Sequence, residues 1–477
     1  MTKPKAHFIG IGGIGVSSLA RYFLSQNWLI SGSDVSDSKE LAEIRQDGIK
    51  VKIGHKRSNI TSDMALVVYS QAIPMDNPEI LEAKRLNLTL KSYPQVLGDL
   101  TRTHRTLAVA GSHGKSTTTA LLGLIFLEAG LDPTVIIGTK LKEFGGQTRL
   151  PAGKNFRLGK SEYLIIEADE YKDSFLNYHF DGAIITNVDR EHLDHYKNFA
   201  GVKKGFTNFM GNLNKGGVLV LNKDDKALPS LAGKQKNNPL RSEARRVSWY
   251  SLKDVKRVKQ IKKVLQIPGN HNISNALAAY SLARSFGVKE KIILKALSKY
   301  RGAWRRMEYK GEFKTKNYKL KAKVFDDYGH HPTEIQATLK AFRDANPASP
   351  LICVFQPHQS KRLKILFKEF TESFSDADIT VIVPIYRVAG RDVKPDKWDA
   401  EALVSAIREK YPKQETFYLK EAKNLRKALE VLLTTFGDKS CEPSRVVNRP
   451  KNRLKEPVIV MMGAGDIVNL TPQLLKR

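Results

Sequence analysis

Residues 7–20 read His7-Phe8-Ile9-Gly10-Ile11-Gly12-Gly13-Ile14-Gly15-Val16-Ser17-Ser18-Leu19-Ala20, "HFIGIGGIGVSSLA". An apolar run enters a Gly-x-Gly-x-x-Gly loop, and a helix-forming stretch leaves it. Read as strand–loop–helix, the pattern gives each glycine a task. Gly10 allows the tight turn, Gly12 lets backbone approach a pyrophosphate, and Gly15 permits close packing of helix on strand. The helix N-terminus adds N–H donors and the positive end of a dipole. Gly13 belongs to the same cradle. Asp34 closes the next apolar run, where a ribose-binding acid is expected, and Ser70 follows the run after that. The motif predicts a site for a diphosphate nucleotide and does not specify nicotinamide. A glycine-rich turn without a ligand is the bland alternative.

The alternation continues outward from this loop. Ala6–Ile11, Trp28–Ser33 and Ala65–Tyr69 predict strands, with helices over Gly15–Ser25 and Pro78–Leu86. The pattern restarts with a strand at Arg105–Ala110 and a helix at Ser116–Ala129. Short buried-type strands follow at Tyr163–Ile166, Gly182–Thr186 and Gly217–Leu221, then an Ala-rich helix at Ile273–Phe286. It restarts again near Arg301. Strands are predicted there at Lys323–Asp327, Leu351–Phe355, Ile379–Val383 and Pro457–Met462. Helices are predicted at Thr333–Asn346, Leu363–Ser373, Ala400–Tyr411 and Glu421–Thr434. The polar, basic stretch 222–263 reads as loops or small irregular strands, and 437–456 as a mobile insertion. The fold class is α/β in three domains, 1–104, 105–302 and 303–477, each built on a parallel sheet.

A length of 477 residues suits about three domains. No apolar run reaches the roughly 18 residues of a membrane span, so no membrane insertion is expected. The chain enters its first glycine loop with no small-residue cleavage site before it, and only two cysteines are present, Cys353 and Cys441. Both features lead us to expect a cytoplasmic protein without a disulfide framework. The formal net charge of +30 permits attraction to polyanions. No nucleic-acid-binding motif accompanies it, so no specific nucleic-acid partner is expected. A basic nucleic-acid-dependent ATPase would account for the charge, and a dehydrogenase for residues 6–34. The dehydrogenase leaves a second glycine loop unexplained, and the nucleic-acid ATPase leaves the ordered C-terminal motifs unexplained.

That second loop lies in residues 109–123, "VAGSHGKSTTTALLG", again strand–loop–helix. Backbone N–H groups of Gly111, Ser112, His113 and Gly114 can surround phosphates. Lys115 can neutralise their outer oxygens, and a hydroxyl of Ser116 or Thr117 can face Mg²⁺. The spacing Gly-x-x-Gly-Lys-Ser is two residues shorter than the usual phosphate loop. Two acidic clusters end the following strands: "IIEADEYKDSF" with Glu167, Asp169 and Glu170, and "TNVDREHLDHY" with Asp189, Glu191, His192, Asp194 and His195. In an open α/β sheet such strand ends share the rim where ligands bind. Carboxylates there suit the Mg²⁺ that accompanies a triphosphate.

Taken in order, the two glycine loops and "EADE" with "DREHLDHY" resemble the Mur ligases. The resemblance continues through "IPGNHNISNALAA", "WRRMEYKGE", "DDYGHHPTEI", "FQPHQSKR" and "MMGAGDI", so it spans nearly the whole chain. It implies an N-terminal Rossmann-like domain for a UDP-sugar, a central P-loop ATPase and a C-terminal Rossmann-like domain. Within the family, the first loop and "DDYGHHPTEI" are most similar to the members that join L-alanine to UDP-N-acetylmuramate, using ATP, in peptidoglycan precursor synthesis. The alternative is a recycling ligase that adds a murein tripeptide to the same sugar.

By the same resemblance, Lys115 holds the β- and γ-phosphates. Ser116 and Glu167 hold Mg²⁺, and His192 contacts a second ion. Asn272 and Asn275 read adenine, although Asn272 could instead cap its helix. Arg306 positions ATP phosphate, Asp327 meets the ribose, and Tyr328, His330 and His331 lie near the incoming amino acid. The bland reading of the last three is a turn before a helix. The chain departs from the family pattern at Tyr171, commonly Ser, and at Gln359, where arginine usually follows Pro-His. A monomer or a homodimer is compatible with all of this.

Overall fold

The structure is a computed structural model that describes residues 2–145, 154–233, 246–315, 320–387, 398–437 and 456–475. It contains three separate sheets, as the start of the pattern and its two restarts predict. The first has five parallel strands: β1 (Lys5–Ile9), β2 (Leu29–Asp34), β3 (Lys50–Ile53), β4 (Leu66–Tyr69) and β5 (Leu90–Ser92). Their spatial order is 3-2-1-4-5, so the direction of winding reverses beside β1. Ligands of open α/β sheets bind at such a reversal, outside the carboxyl ends of the strands. The glycine loop leaves β1 at that place, and Ser70 follows β4 beside it.

The second sheet comprises β6 (Arg105–Ala110), β7 (Thr134–Leu141), β8 (Lys154–Arg157), β9 (Tyr163–Glu167), β10 (Phe180–Ile185), β11 (Leu213–Asn222) and β12 (Arg246–Tyr250). The order is 12-11-10-6-9-7-8, parallel except for β8 at the edge. The second loop leaves β6 between β9 and β10, whose ends carry the two acidic clusters. Leu107, Ile165, Ile184 and Leu219 are wholly buried, the near-continuous apolar burial expected where helices cover both faces of a sheet.

The third sheet comprises β13 (Glu308–Lys314), β14 (Lys321–Asp327), β15 (Leu351–Phe355), β16 (Ile379–Ile382), β17 (Glu415–Tyr418) and β18 (Val458–Met462). Its order is 13-14-18-15-16-17, with β13 antiparallel at one edge. Asp327 and Phe355 are both in register with Met462. The turns after β14, β15 and β18 therefore leave one rim.

The chain groups into two compact units, Met1–Gln266 with Asn272–Ala303, and Ile267–His271 with Trp304–Arg477. Within the first, the helix after the glycine loop (Ile14–Ser25) is fastened to β8. Asn155 Nδ2 donates to Ser17 Oγ at 3.0 Å, and Ser18 Oγ donates to the Asn155 carbonyl at 3.0 Å. Arg21 Nη1 donates to Asn155 Oδ1 at 2.7 Å.

Several expected elements differ. The 222–263 stretch holds β12 and a helix over Val255–Val264, capped by the Asp254 side chain. Only Ile261 of that helix is buried, although Val255, Val258, Ile261 and Val264 recur at every third position among basic residues. The helix expected at 363–373 is two short ones, Ser360–Ile365 and Phe367–Thr371. The one expected from Glu421 begins at Leu425, after a tighter turn at Ala422–Asn424. Most of the expected 437–456 insertion, 438–455, and Cys441 lie outside the described residues.

Candidate functional site

Gly13 caps the helix Ile14–Ser25 in extended conformation, with no side chain satisfying the first turn. That end of the helix is suited to an anion. The Gly12 N–H donates to Asp34 Oδ2 at 2.9 Å, and the Val35 N–H to Oδ1 at 2.8 Å. Asp34, expected to meet a ribose, thus also shapes the loop. A Cβ on Gly10 would stand 3.1 Å from Ser70 Cβ, which brings Ser70 against the turn. Gly15 requires a correction. A Cβ there would stand 2.8 Å from the Tyr93 ring, so the close approach is to the start of the helix Tyr93–Thr103 and not to a strand.

The second loop is held from both sides. The Ser112 N–H donates to the Asn187 carbonyl at 3.0 Å, and the Asp189 N–H to Ser112 Oγ at 2.9 Å. The His113 N–H donates to Asn187 Oδ1 at 2.9 Å, and its Nε2 lies 3.0 Å from Asp189 Oδ2. Gly114 caps the helix Lys115–Glu128 in the left-handed region, φ +83°, where a Cβ would collide with the Asn275 amide. Asn275 therefore buttresses the loop. Asn272 is buried as the third residue of the helix Asn270–Ser285, so it does not cap it. Thr117 is buried in the first turn after the loop.

Lys115 Nζ donates to the carbonyls of Gly111 (2.6 Å) and Ser112 (3.1 Å) and pairs with Glu170 Oε2 at 2.9 Å. Burial opposes its charge. The carboxylates of Glu170, Asp169 and Glu167 outweigh burial and hold its pKa above the usual lysine value. Glu170 is almost wholly buried. Burial, reinforced by Asp169, raises its pKa against the pull of Lys115 and His192.

Ser116 Oγ donates to Glu167 Oε1 at 2.9 Å, and the Gly138 N–H to Glu167 Oε2 at 2.7 Å. His192 groups with Asp169 and Glu170, one ligand atom from each lying within 4.8 Å of the others. The structure thus divides the expected metal set Ser116, Glu167 and His192 into a hydroxyl–carboxylate pair and a carboxylate–imidazole group. Both offer oxygen donors of the kind a hard divalent cation takes. His192 (φ +53°), Lys172 (φ +49°) and Asp173 (φ +56°) all occupy the left-handed region beside this cluster. Such strain in non-glycine residues concentrates at functional sites. Asp169 and Glu170 were legible as acids on the rim, but their grouping with His192 required the fold.

In the second unit, the two arginines of "WRRMEYKGE" divide their work. Arg305 is buried and donates through Nη2 to the carbonyls of Gly463 and Gly465. Arg306 is more exposed, lies 3.4 Å from Glu334 Oε1 and stands over the Tyr328 ring. Asp327 is the residue expected at the ribose. It is buried, and its carboxylate accepts from the N–H groups of Met307 (2.9 Å) and Gly329 (2.8 Å). It thereby also fastens Met307 and the turn at Gly329. Its pKa is raised by burial.

His331 caps the helix Pro332–Ala345, its Nδ1 accepting from the Thr333 N–H at 3.3 Å. The turn reading therefore accounts for its place. His330 packs edge-on to Tyr328 and to His358, which stacks on Tyr386 with ring centroids 5.5 Å apart. His358 and Tyr386 extend the expected Tyr328–His330 cluster. No local pattern marks Tyr386, which follows β16 and reaches His358 through sheet order.

Residues 5–105 match the Mur ligase family catalytic domain, 109–283 the Mur ligase middle domain and 305–439 the Mur ligase glutamate ligase domain. The chain is 41% identical over 402 residues to the UDP-N-acetylmuramate–L-alanine ligase of Aquifex aeolicus, covering 82% of this chain and 85% of that one. It is 37% identical over 486 residues to the enzyme of that name from Clostridium perfringens, covering 99% and 98%. In fold it is similar to the crystal structure of UDP-N-acetylmuramate–alanine ligase from Thermotoga maritima (TM-score 0.74, 23% identity, 99% and 98% covered). It is also similar to a murein peptide ligase from Psychrobacter arcticus (TM-score 0.65, 21% identity, 99% and 98% covered). With the glycine loop on one sheet and the phosphate loop with its acidic rim on another, and with these matches along the length of the chain, the protein belongs to the Mur ligase family.

Proposed function

We propose that this protein is the ATP-dependent ligase that joins L-alanine to UDP-N-acetylmuramate. The observation that carries the reading is the pairing of two phosphate-type loops, Gly10–Gly15 and Gly111–Ser116, in a chain 41% identical to a UDP-N-acetylmuramate–L-alanine ligase. We assign the UDP handle to the first loop with Asp34 and Ser70, and ATP to the second with Asn272 and Asn275. The domains are assigned to 1–104, 105–302 and 303–477, and the site of action to the cytoplasm. No helix among the described residues is long and apolar enough to cross a membrane.

A carboxylate is a poor acyl donor. In the reaction, the muramoyl carboxylate oxygen bonds to the γ-phosphorus of ATP as the bond to the β-phosphate bridge breaks, giving an acyl phosphate and ADP. The alanine amine then attacks the acyl carbon and loses a proton, and phosphate departs. Anions meet at both steps, so the protein's contribution is positioning and charge neutralisation. Lys115, held by Gly111, Ser112 and Glu170, is poised to exchange those partners for phosphate oxygens. We assign Mg²⁺ to Ser116 with Glu167 and to His192 with its acidic neighbours. When bound, it supplies positive charge to the triphosphate. Arg306 is assigned to phosphate, and Tyr328 and His330 to the amino acid.

Phosphate release tests the reading. With ATP, Mg²⁺ and UDP-N-acetylmuramate, it should depend on L-alanine and on the sugar nucleotide. Preference for the murein tripeptide would replace the amino-acid reading. Hydrolysis stimulated by DNA or RNA with no dependence on the sugar would refute the ligase.

A further inference from the structure

Behind the first glycine loop lies a buried polar cluster that the ligation chemistry does not use. Glu79, in the first turn of the helix Pro78–Arg85, is wholly buried. Its Oε2 accepts from Ser33 Oγ and lies 3.2 Å from His55 Nδ1 and 3.7 Å from His7 Nε2. Its Oε1 accepts from Asn59 Nδ2 and from the Lys56 N–H at 3.4 Å. Burial works against this carboxylate's charge. Its interactions with His7, Ser33 and Asn59 outweigh burial and bring its pKa down to about 2. Five groups from β1, β2 and the segment after β3 thus converge on one anion.

Ser33 makes this cluster matter to the loop. Its side chain is held by Glu79, while its carbonyl accepts from the N–H groups of Gly10 (2.9 Å) and Ile11 (3.1 Å). The next residue, Asp34, holds the Gly12 N–H. These bonds to Gly10, Ile11 and Gly12 all run through the end of β2, and Glu79 anchors that end. His7 lies in β1, three residues before Gly10, with its Nδ1 2.9 Å from Ser31 Oγ in β2. Donors of a binding loop must stand within about 0.5 Å of their productive place. A shift of β2 passes directly to the loop's backbone.

We propose that Glu79 is a positioning residue for the sugar-nucleotide site, fixing the Gly10–Gly15 loop through Ser33. The proposal rests on the reading of that loop as the UDP cradle. Two variants of the full-length protein test it, Glu79→Gln and Ser33→Ala. The first keeps the shape but exchanges an acceptor for a donor. The second removes the link, together with the hydroxyl's contact with His55 Nδ1 at 3.0 Å. Each should raise the KM for UDP-N-acetylmuramate, and its Kd in the absence of ATP, by about tenfold, equivalent to about 1.4 kcal/mol. The KM for ATP and kcat at saturating sugar should stay within about twofold. A general loss of structure would move both substrates together, and that parallel change would overturn the proposal. So would an unchanged KM for the sugar nucleotide. Should Glu79→Gln not fold, Ser33→Ala decides, because it leaves the carboxylate its other partners. If the unaltered protein itself fails to bind UDP-N-acetylmuramate, the reading of the loop falls instead, so the two failures are distinct.

Discussion

Replacing Lys115 with methionine separates what the phosphate loop does for stability from what it does for turnover. Methionine keeps the length of the side chain and removes the cation. Glu170, with a side chain 1% exposed, then faces Asp169 without its ion-pair partner at 2.9 Å. Removing one member of a buried pair costs about 3–5 kcal/mol. Lys115 itself is 13% exposed and His192 Nε2 lies 3.7 Å from Glu170, which points to the lower end, about 3 kcal/mol. Burial already raises the folded-state pKa of Glu170 above its ordinary value of 4.5, and losing the lysine raises it further. A carboxyl whose pKa is raised in the folded state favours folding below its unfolded pKa. That advantage is lost as pH rises through the folded value. The deficit of Lys115→Met should therefore be small near pH 4 and grow towards pH 8.

Thermal unfolding of Lys115→Met, Glu170→Gln and the double variant across that range measures this. The double variant should regain most of the loss at pH 8, since it buries no unpaired charge. Turnover should be abolished in Lys115→Met. UDP-N-acetylmuramate binding should stay within about twofold, because the glycine loop belongs to another sheet. A Lys115→Met protein as stable as the parent at pH 8, or a double variant no more stable than the single, would refute the reasoning.

Gly114→Ala places a side chain in the left-handed region, at a cost of about 1–2 kcal/mol, and drives it into the Asn275 amide. The KM for ATP should rise at least about tenfold with little change in that for the sugar nucleotide. Glu79 supplies an acid-sensitive element of stability. Its folded pKa of about 2 lies below the ordinary 4.5, so its contribution is complete above pH 4.5 and disappears as pH falls towards 2. At about 1.36 kcal/mol per pKa unit this amounts to about 3 kcal/mol. Denaturant unfolding of Glu79→Gln between pH 6 and pH 2 should show a flatter acid limb than the parent, and parallel curves would contradict the assignment.

Much of the architecture is local and therefore legible. Glycines at fixed spacing between an apolar run and a helix allow few conformations, so both phosphate-type loops could be placed with their flanking strands. Runs such as Leu351–Phe355 and Val458–Met462 are apolar at every position, because a strand covered on both faces has no polar side. The helix Val255–Val264 and the edge strand β13 escaped notice for the opposite reason. The helix has apolar residues only at every third position, Val255, Val258, Ile261 and Val264, among basic ones, and β13 buries only Phe313, so neither presents an apolar run.

At the sites, residue type was legible and partnership was not. Local pattern dictates that carboxylates, a lysine and hydroxyls collect on one rim, because strand–loop–helix units point their loops the same way. The folded sheet was needed to establish that Lys115 pairs with Glu170, that Ser116 bonds Glu167, and that His192 joins Asp169. Those distances depend on β9 and β10 flanking β6, an order that sequence neighbours do not encode. Gly15 and Asp327 carry the same lesson. The first motif marked Gly15 for packing of helix on strand, yet it makes room for Tyr93, and Asp327, expected at a ribose, also fastens Met307. A small residue and a buried acceptor answer to whatever the fold packs against them, and that is settled by contacts between segments far apart in the chain.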